Sequence, residues 1–196
     1  MTLPLPATGR IGIIAAMRDE LSAVLNRMPD EHKTRVAGRS FWRGHWHGRE
    51  VVAVLSRIGK VAAATTATAL IERFEVDAIV FTGVAGGLAD GVNVGDVVLA
   101  RSFLQHDMNA SPLFAQHEVP LYGKARFETD AALSDTLATA ARKVLADPQA
   151  ALGAAAVAEF GLQAPRVHEG LILSGDRFVA TSAESEALRQ RLPDGL

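Results

Sequence analysis

The sequence predicts an α/β fold: a single domain over residues 1–196, with a central mixed β-sheet flanked by helices. Three observations carry that expectation. Apolar runs of strand length recur at RIGIIAA (10–16), VVAVLS (51–56) and VDAIVF (76–81). Between them lie stretches with the three- and four-residue spacing of helices. The third run opens into a glycine-rich turn, FTGVAGGL (81–88). Strands alternating with helices build a sheet that is covered on its faces.

Each element has its own signal. The run 10–16 suits a buried first strand. From Met17 the apolar positions Met17, Leu21, Val24, Leu25 and Met28 share one helical face, until Pro29 and Asp30 stop the pattern. RSFWRGHWHG (39–48) alternates apolar and polar residues, as an exposed strand does. With a turn at Gly48-Arg49 and the run 51–56, it makes 40–56 a hairpin. Gly59 opens an alanine-rich helix over 60–74. VDAIVF lacks polar alternation and reads as a strand buried on both faces. Gly83, Gly86 and Gly87 then let the backbone turn sharply and approach a ligand.

A strand follows from Asp96 to about Leu104, and 105–128 has no clear period, as in a long functional loop. A helix is expected over 130–146, a second helical piece within 147–165, a strand then a loop over 167–178, and a short helix over 183–191.

Composition narrows the functional classes. At 196 residues and 48% hydrophobic content the chain can build one core. A net charge of −2 argues against a nucleic-acid partner. The absence of cysteine excludes disulfides, thiolate metal sites and a cysteine nucleophile. The start, MTLPLPATGR, lacks the pattern of a secretory leader. No apolar stretch approaches the ~20 residues that span a bilayer. The expectation is a soluble, cytoplasmic protein with no membrane partner.

Chemistry-bearing residues are few. Glu20 sits one turn into the first helix, just past a strand's carboxyl end. It can serve as a catalytic carboxylate, or with Asp19 it can complement the helix dipole. His106-Asp107 has no second histidine at ligand spacing. His45 and His47 can share a strand face, beside Trp42 and Trp46, as an exposed edge. Neither pattern supports a metal site. Ser56 and Ser174 lack a hydrolase motif of the G-x-S-x-G kind. No G-x-G-x-x-G follows the first strand and no P-loop is present. Phe178-Val179 offers either a ring for stacking with backbone groups beside it, or core packing.

In order, IGIIAAMRDEL (11–21), SRIGKVAAA (56–64), FTGVAGGL (81–88), VGDVVLA (94–100), HDM (106–108) and LILSGDRF (171–178) resemble the 5′-methylthioadenosine/S-adenosylhomocysteine nucleosidases. These belong to the nucleoside phosphorylase superfamily, and the resemblance covers residues 10–192. It implies a nucleoside phosphorylase-like fold and hydrolysis of a 5′-thioadenosine to adenine and a 5-thioribose sugar. Glu20 would be the base that takes a proton from water. Met17 would lie against the ribose, and Val84, Ala85 and Gly86 would line the nucleoside pocket. Phe178 would stack on adenine, and the Val179 backbone would bond the base edge. The loop from His106 to Leu113 would help form the 5′-thio pocket, partly from a neighbouring subunit. The resemblance further implies a small nucleoside substrate and a homodimer, with no cofactor or metal.

Three departures qualify the resemblance. Val84 stands where a serine is common. Arg57 replaces a smaller residue, which reopens phosphorolysis, although AAMRDE (15–20) puts a carboxylate where phosphate would be repelled. The family continues into a strand with E-M-E-G that grips the ribose hydroxyls, then to an S-D whose aspartate protonates adenine. Neither follows the helix at 183–191, where the sequence ends RLPDGL. A purine nucleoside phosphorylase and a non-catalytic nucleoside-binding protein therefore stay open as alternatives. A C-terminally incomplete chain is expected, without acid assistance typically worth ~10² to 10⁴-fold. The isolated 196-residue chain should show little or no turnover. Robust adenine release by a sample of verified mass would overturn this.

Overall fold

The computed structural model describes residues 9–196, so most of the stretch read for a secretory leader lies outside the described residues. The chain is α/β and divides into two compact units at Ala85/Gly86.

Residues 9–85 hold β1 (Ile11–Ala15), α1 (Arg18–Leu25), β2 (His32–Val36), β3 (Arg39–Trp46), β4 (Arg49–Leu55), α2 (Lys60–Phe74) and β5 (Ala78–Phe81). The sheet order is β2-β3-β4-β1-β5, with β1 parallel to both β4 and β5, and β2, β3 and β4 antiparallel. Alternate residues of β1 and β4 point to opposite faces, and each face is covered. Ile13, Ala15, Val51 and Ala53 pack with Leu21, Val24 and Met28 of the α1 segment. Ile14, Val52 and Val54 pack with Phe41 and Leu70, from β3 and α2. Burial on both faces is why these strands read as unbroken apolar runs. Phe41 and Phe74 stack at 4.5 Å between ring centroids.

The structure adjusts several expectations. Both hairpin turns have two residues at positive φ, Ala37-Gly38 (48° and 74°) and His47-Gly48 (51° and 75°). This geometry matches strand twist, and it places the second turn one residue earlier than expected. HKTRV forms β2 at the sheet edge, almost wholly exposed, so it shows no apolar alternation. Helix α1 ends at Leu25, and Met28 reaches the core through the turns Arg27 N–H to Val24 O and Met28 N–H to Leu25 O. The strand expected to be buried on both faces, β5, is only half-buried over 78–80, and Phe81 is 58% exposed; it pairs with β1 at the edge of its sheet. Gly83, Gly86 and Gly87 have no positive φ, so the turn does not require glycine for its dihedrals.

Residues 86–196 hold β6 (Val97–Gln105), β7 (Arg126–Glu128), α3 (Ala131–Leu145), α4 (Pro148–Leu152), α5 (Ala154–Glu159), β8 (Val167–Ser174) and α6 (Ser182–Arg191). The mixed sheet has the order β7-β6-β8, with β6 antiparallel to β7 and parallel to β8. The long loop thus closes on a three-residue strand too short to leave a pattern. Asp130 caps α3 by accepting from Leu133 N–H at 2.8 Å. The second helical piece is two short helices, split where Gly153 takes φ +85°. Leu104 and Leu171 pack against Leu188 and Leu192, joining the sheet to the α6 segment.

Asp96, with a side chain 4% exposed, holds the start of β6 to β8. It accepts from the N–H groups of Arg166 (2.7 Å) and Asn93 (2.9 Å) and lies 2.8 Å from His168 Nε2. Burial pushes its pKa up, but those two amides and His168 outweigh burial and hold it below its ordinary value of 3.8. A depressed folded pKa stabilises the fold above the ordinary value and is lost as pH falls through the folded one. Asp96→Asn should cost about 1–3 kcal/mol at neutral pH. That difference should narrow as the pH falls below about 3.9. Urea unfolding at two pH values reads both, and a gap that persists in acid would contradict the assignment.

Candidate active site

The carboxyl ends of β4, β1 and β5 lie side by side because these strands run parallel. The pairing extends one step further, with Ser56 N–H to Ala15 O and Thr82 N–H to Ile14 O, both 2.9 Å. In open α/β sheets this is where ligands bind. Helix α1 begins here, after Met17 in extended conformation (φ −120°, ψ 157°). Glu20, in its first turn, folds back on the chain. Its Oε2 accepts from the N–H groups of Ala16 (3.0 Å) and Met17 (2.9 Å). Its Oε1 accepts from Val84 N–H at 3.0 Å.

The first two contacts are a helix cap and fit the dipole reading of Asp19 and Glu20. The third is not, since Val84 lies 64 positions away in the glycine loop. Gly83 makes this approach possible: a Cβ there would sit 2.9 Å from Glu20 Oε1. A carboxylate has about four acceptor directions. Three are taken by backbone, which leaves one on Oε1.

Within residues 9–85 the structure therefore brings together Met17, Glu20, Val84 and, next in the chain, Ala85. Met17 is 41% and Val84 78% exposed. Gly86, Phe178 and Val179 belong to residues 86–196. A Cβ on Gly86 would meet nothing within 4 Å, so no crowding requires glycine there. Phe178 is 85% exposed, which removes core packing as its role and leaves its ring open. Val179 packs against the cluster of Leu104, Leu171, Leu188 and Leu192.

Asp107, read in the sequence only as half of a pair without metal-ligand spacing, and Glu184, which was not read there, hold the Phe178 loop from either side. Asp107 Oδ2 accepts from Asp176 N–H (2.6 Å) and Arg177 N–H (3.3 Å). Gly175 permits this, since a Cβ there would lie 2.5 Å from His106 Nε2. On the other side Glu184 accepts from Arg177 Nη2 (3.0 Å) and from the N–H groups of Ala180 and Thr181, in a capping box at the start of α6. The Arg177 bond, then the Ala180 amide and the Thr181 hydroxyl, hold the Glu184 carboxyl down to about 2. The T-x-x-E spacing at 181–184 was the visible signal.

Other candidates do not converge. His45 Nδ1 is bound to Asp30 at 2.7 Å, and His47 sits in the turn at φ +51°, so the two share no face. Asp30 is held below the ordinary range, first by the His45 backbone N–H and then by its ring. Ser56 is buried and directs its hydroxyl to Arg57 O at 2.8 Å. Arg57 reaches Gly38 O at 3.4 Å, and neither belongs to the Glu20 cage. Among the described residues no group of three His, Cys, Asp or Glu could hold a metal ion, and no helix is long and apolar enough to cross a membrane.

Parallel strands ending on a caged carboxylate and a glycine loop define the class: the family model described as the phosphorylase superfamily matches residues 10–194. A 5′-methylthioadenosine/S-adenosylhomocysteine nucleosidase from Oceanobacillus iheyensis is 33% identical over 184 residues, covering 93% of this chain and 72% of that protein. The nucleosidase of that name from Neisseria meningitidis, solved in complex with methylthio-immucillin-A, aligns with a TM-score of 0.81 at 31% identity, over 95% of this chain and 73% of that one. A futalosine hydrolase mutant of Helicobacter pylori aligns with a TM-score of 0.76 at 28% identity, over 96% and 77%. The chain belongs to the phosphorylase superfamily and, within it, to the 5′-methylthioadenosine/S-adenosylhomocysteine nucleosidase family.

The cage makes a direct prediction. Gly83→Ala should displace the Glu20 carboxylate and speed amide exchange at Val84 by about tenfold or more, leaving core amides such as Leu70 unchanged. Glu20→Ala should do the same. A Val84 amide indifferent to both would remove the cage.

Proposed function

We propose that the reaction of this chain's site is hydrolysis of the N-glycosidic bond of 5′-methylthioadenosine and S-adenosylhomocysteine, with Glu20 as the base, at a rate that is weak in the isolated 196-residue chain. Its family membership supports the reaction, and the observation that carries the role of Glu20 is its cage. Three backbone donors fix the carboxylate and leave one acceptor direction on Oε1. A water donating there is aligned for attack. Its proton passes to Glu20 as its oxygen bonds to the anomeric carbon. The bond to nitrogen breaks, and the base leaves with the electron pair as the adenine anion, which takes a proton from solvent water to give adenine. The transition state carries positive charge on the sugar, so a fixed negative group beside it lowers the barrier as well as activating water.

Met17 would lie against the ribose, and Val84, Ala85 and Gly86 along the nucleoside. Phe178 would stack on the base while the Val179 backbone bonds its edge. A phosphorylase would need anion donors where Glu20 stands, which favours hydrolysis over phosphorolysis. A second copy of the chain has an apolar face to meet at the start of α2, where Ile58 and Val61 are 78% and 75% exposed. Sedimentation of the assay samples reports it.

The test is adenine release from methylthioadenosine, S-adenosylhomocysteine, 5′-deoxyadenosine and futalosine, followed by chromatography. Glu20→Gln should lower whatever release is seen by ~10²-fold or more. Phe178→Ala should weaken adenine binding, read by calorimetry without turnover, by about 1–3 kcal/mol. Release that survives Glu20→Gln would place the base elsewhere.

A further inference from the structure

A cavity of about 340 Å³ opens between α1, the β2–β3 hairpin and the end of β4, within residues 9–85. Four cationic side chains line it, Arg18, Lys33, Arg39 and Arg57, and no carboxylate does. It shares no lining residue with the Glu20 cage or the glycine loop. In a chain of net charge −2 such a concentration of one sign is uncompensated. Elsewhere cations are neutralised locally: Arg43 lies on Glu50, Arg101 on Glu169 and Arg189 on Asp90. None of the four groove cations has a carboxylate partner among the described residues.

The charges are also held in position. Arg39 extends Nε towards Ser56 O and Nη2 towards Ala62 O, both at 3.4 Å, and Arg57 extends Nη2 towards Gly38 O at 3.4 Å. These contacts fix two guanidinium groups and leave further N–H donors unused. Arg57 does so from φ +71°, a conformation that costs a non-glycine residue free energy. Lys33 Nζ lies 5.5 Å from the Trp42 ring centroid, which restrains its ammonium at the rim. The wall between the charges is apolar, from the α1 stripe of Leu21 and Leu25 with Trp42 and Leu55.

We propose that this groove binds a di- or triphosphate group, either as free pyrophosphate or as part of a nucleotide. Four cations call for a ligand with more than one negative charge. Guanidinium forks match phosphate oxygens in pairs and bind them with charge-assisted bonds. The volume is within the range of small-molecule sites. A confined concavity in a chain of net negative charge favours a small ligand over an extended polyanion. The apolar wall gives a nucleoside somewhere to lie, so a nucleotide should bind at least as tightly as pyrophosphate.

The test titrates the full chain with pyrophosphate and with ADP, reading heat and tryptophan emission. Saturable binding with Kd on the order of 10 μM to 1 mM is expected. It should weaken as salt rises, because the contacts are ionic and partly exposed. Arg39→Gln and Arg18→Gln should each weaken it about tenfold, with far-UV circular dichroism confirming that both variants fold. Tighter ADP binding identifies a nucleotide as the ligand, and equal binding identifies the bare diphosphate. Absence of saturable binding for both probes overturns the proposal, as does binding that neither substitution changes. Neither result bears on adenine release, so this site and the nucleosidase reading fail independently.

Discussion

One carboxylate ties the end of β1 and the start of α1 to the glycine loop after β5. Glu20 takes three backbone N–H groups, two at the end of β1 and one in the loop after β5. Each strand end would otherwise leave donors exposed, and the first turn of α1 adds more. A single side chain satisfies these donors and, in doing so, fixes its own rotamer. The groups that cap the helix also aim the remaining lone pair.

The frame around that carboxylate explains why it stays in place. β1 lies in the middle of its sheet, with β4 on one side, β5 on the other and apolar packing on both faces. Its residues have few alternative conformations, so its end is a fixed point. In residues 86–196 a similar economy holds the Phe178 loop. Asp107 and Glu184 each accept several backbone donors, and an exposed ring is carried on a restrained segment. Restraint of this kind lowers the entropy lost when a ligand is gripped.

Much of this was legible in the sequence, for identifiable reasons. The helix 60–74 was clear because Gly59 opens it and it is rich in alanine, the best helix former. The first strand and 51–56 were clear because burial on two faces leaves no polar interruption. What escaped notice is equally consistent. HKTRV has no buried face and so no pattern to read. VDAIVF is apolar, yet it forms an edge strand, because composition reports apolarity and not the number of neighbours. Glu20 was visible as a carboxylate at a strand end, but its partners are backbone amides, which every residue carries. Asp107 was weighed only as a metal ligand, because its partners too are backbone amides. The cationic groove gathers residues 18, 33, 39 and 57 from four separate segments, and only folding makes them neighbours.

The register of the first sheet also sets an order of assembly. The strands β2, β3 and β4 are joined by two-residue turns, so each pairing closes over a short span. The pairing of β1 with β5 instead joins positions such as Arg10 and Asp77, 67 residues apart. Contacts of long sequence separation are slow, because chain entropy is lost before they repay it. The meander can form while the chain is still being synthesised, but Glu20 meets Val84 only after β5 has docked. Reactivity at Glu20 would thus mark the end of folding in this unit, appearing when the last long-range pairing has closed.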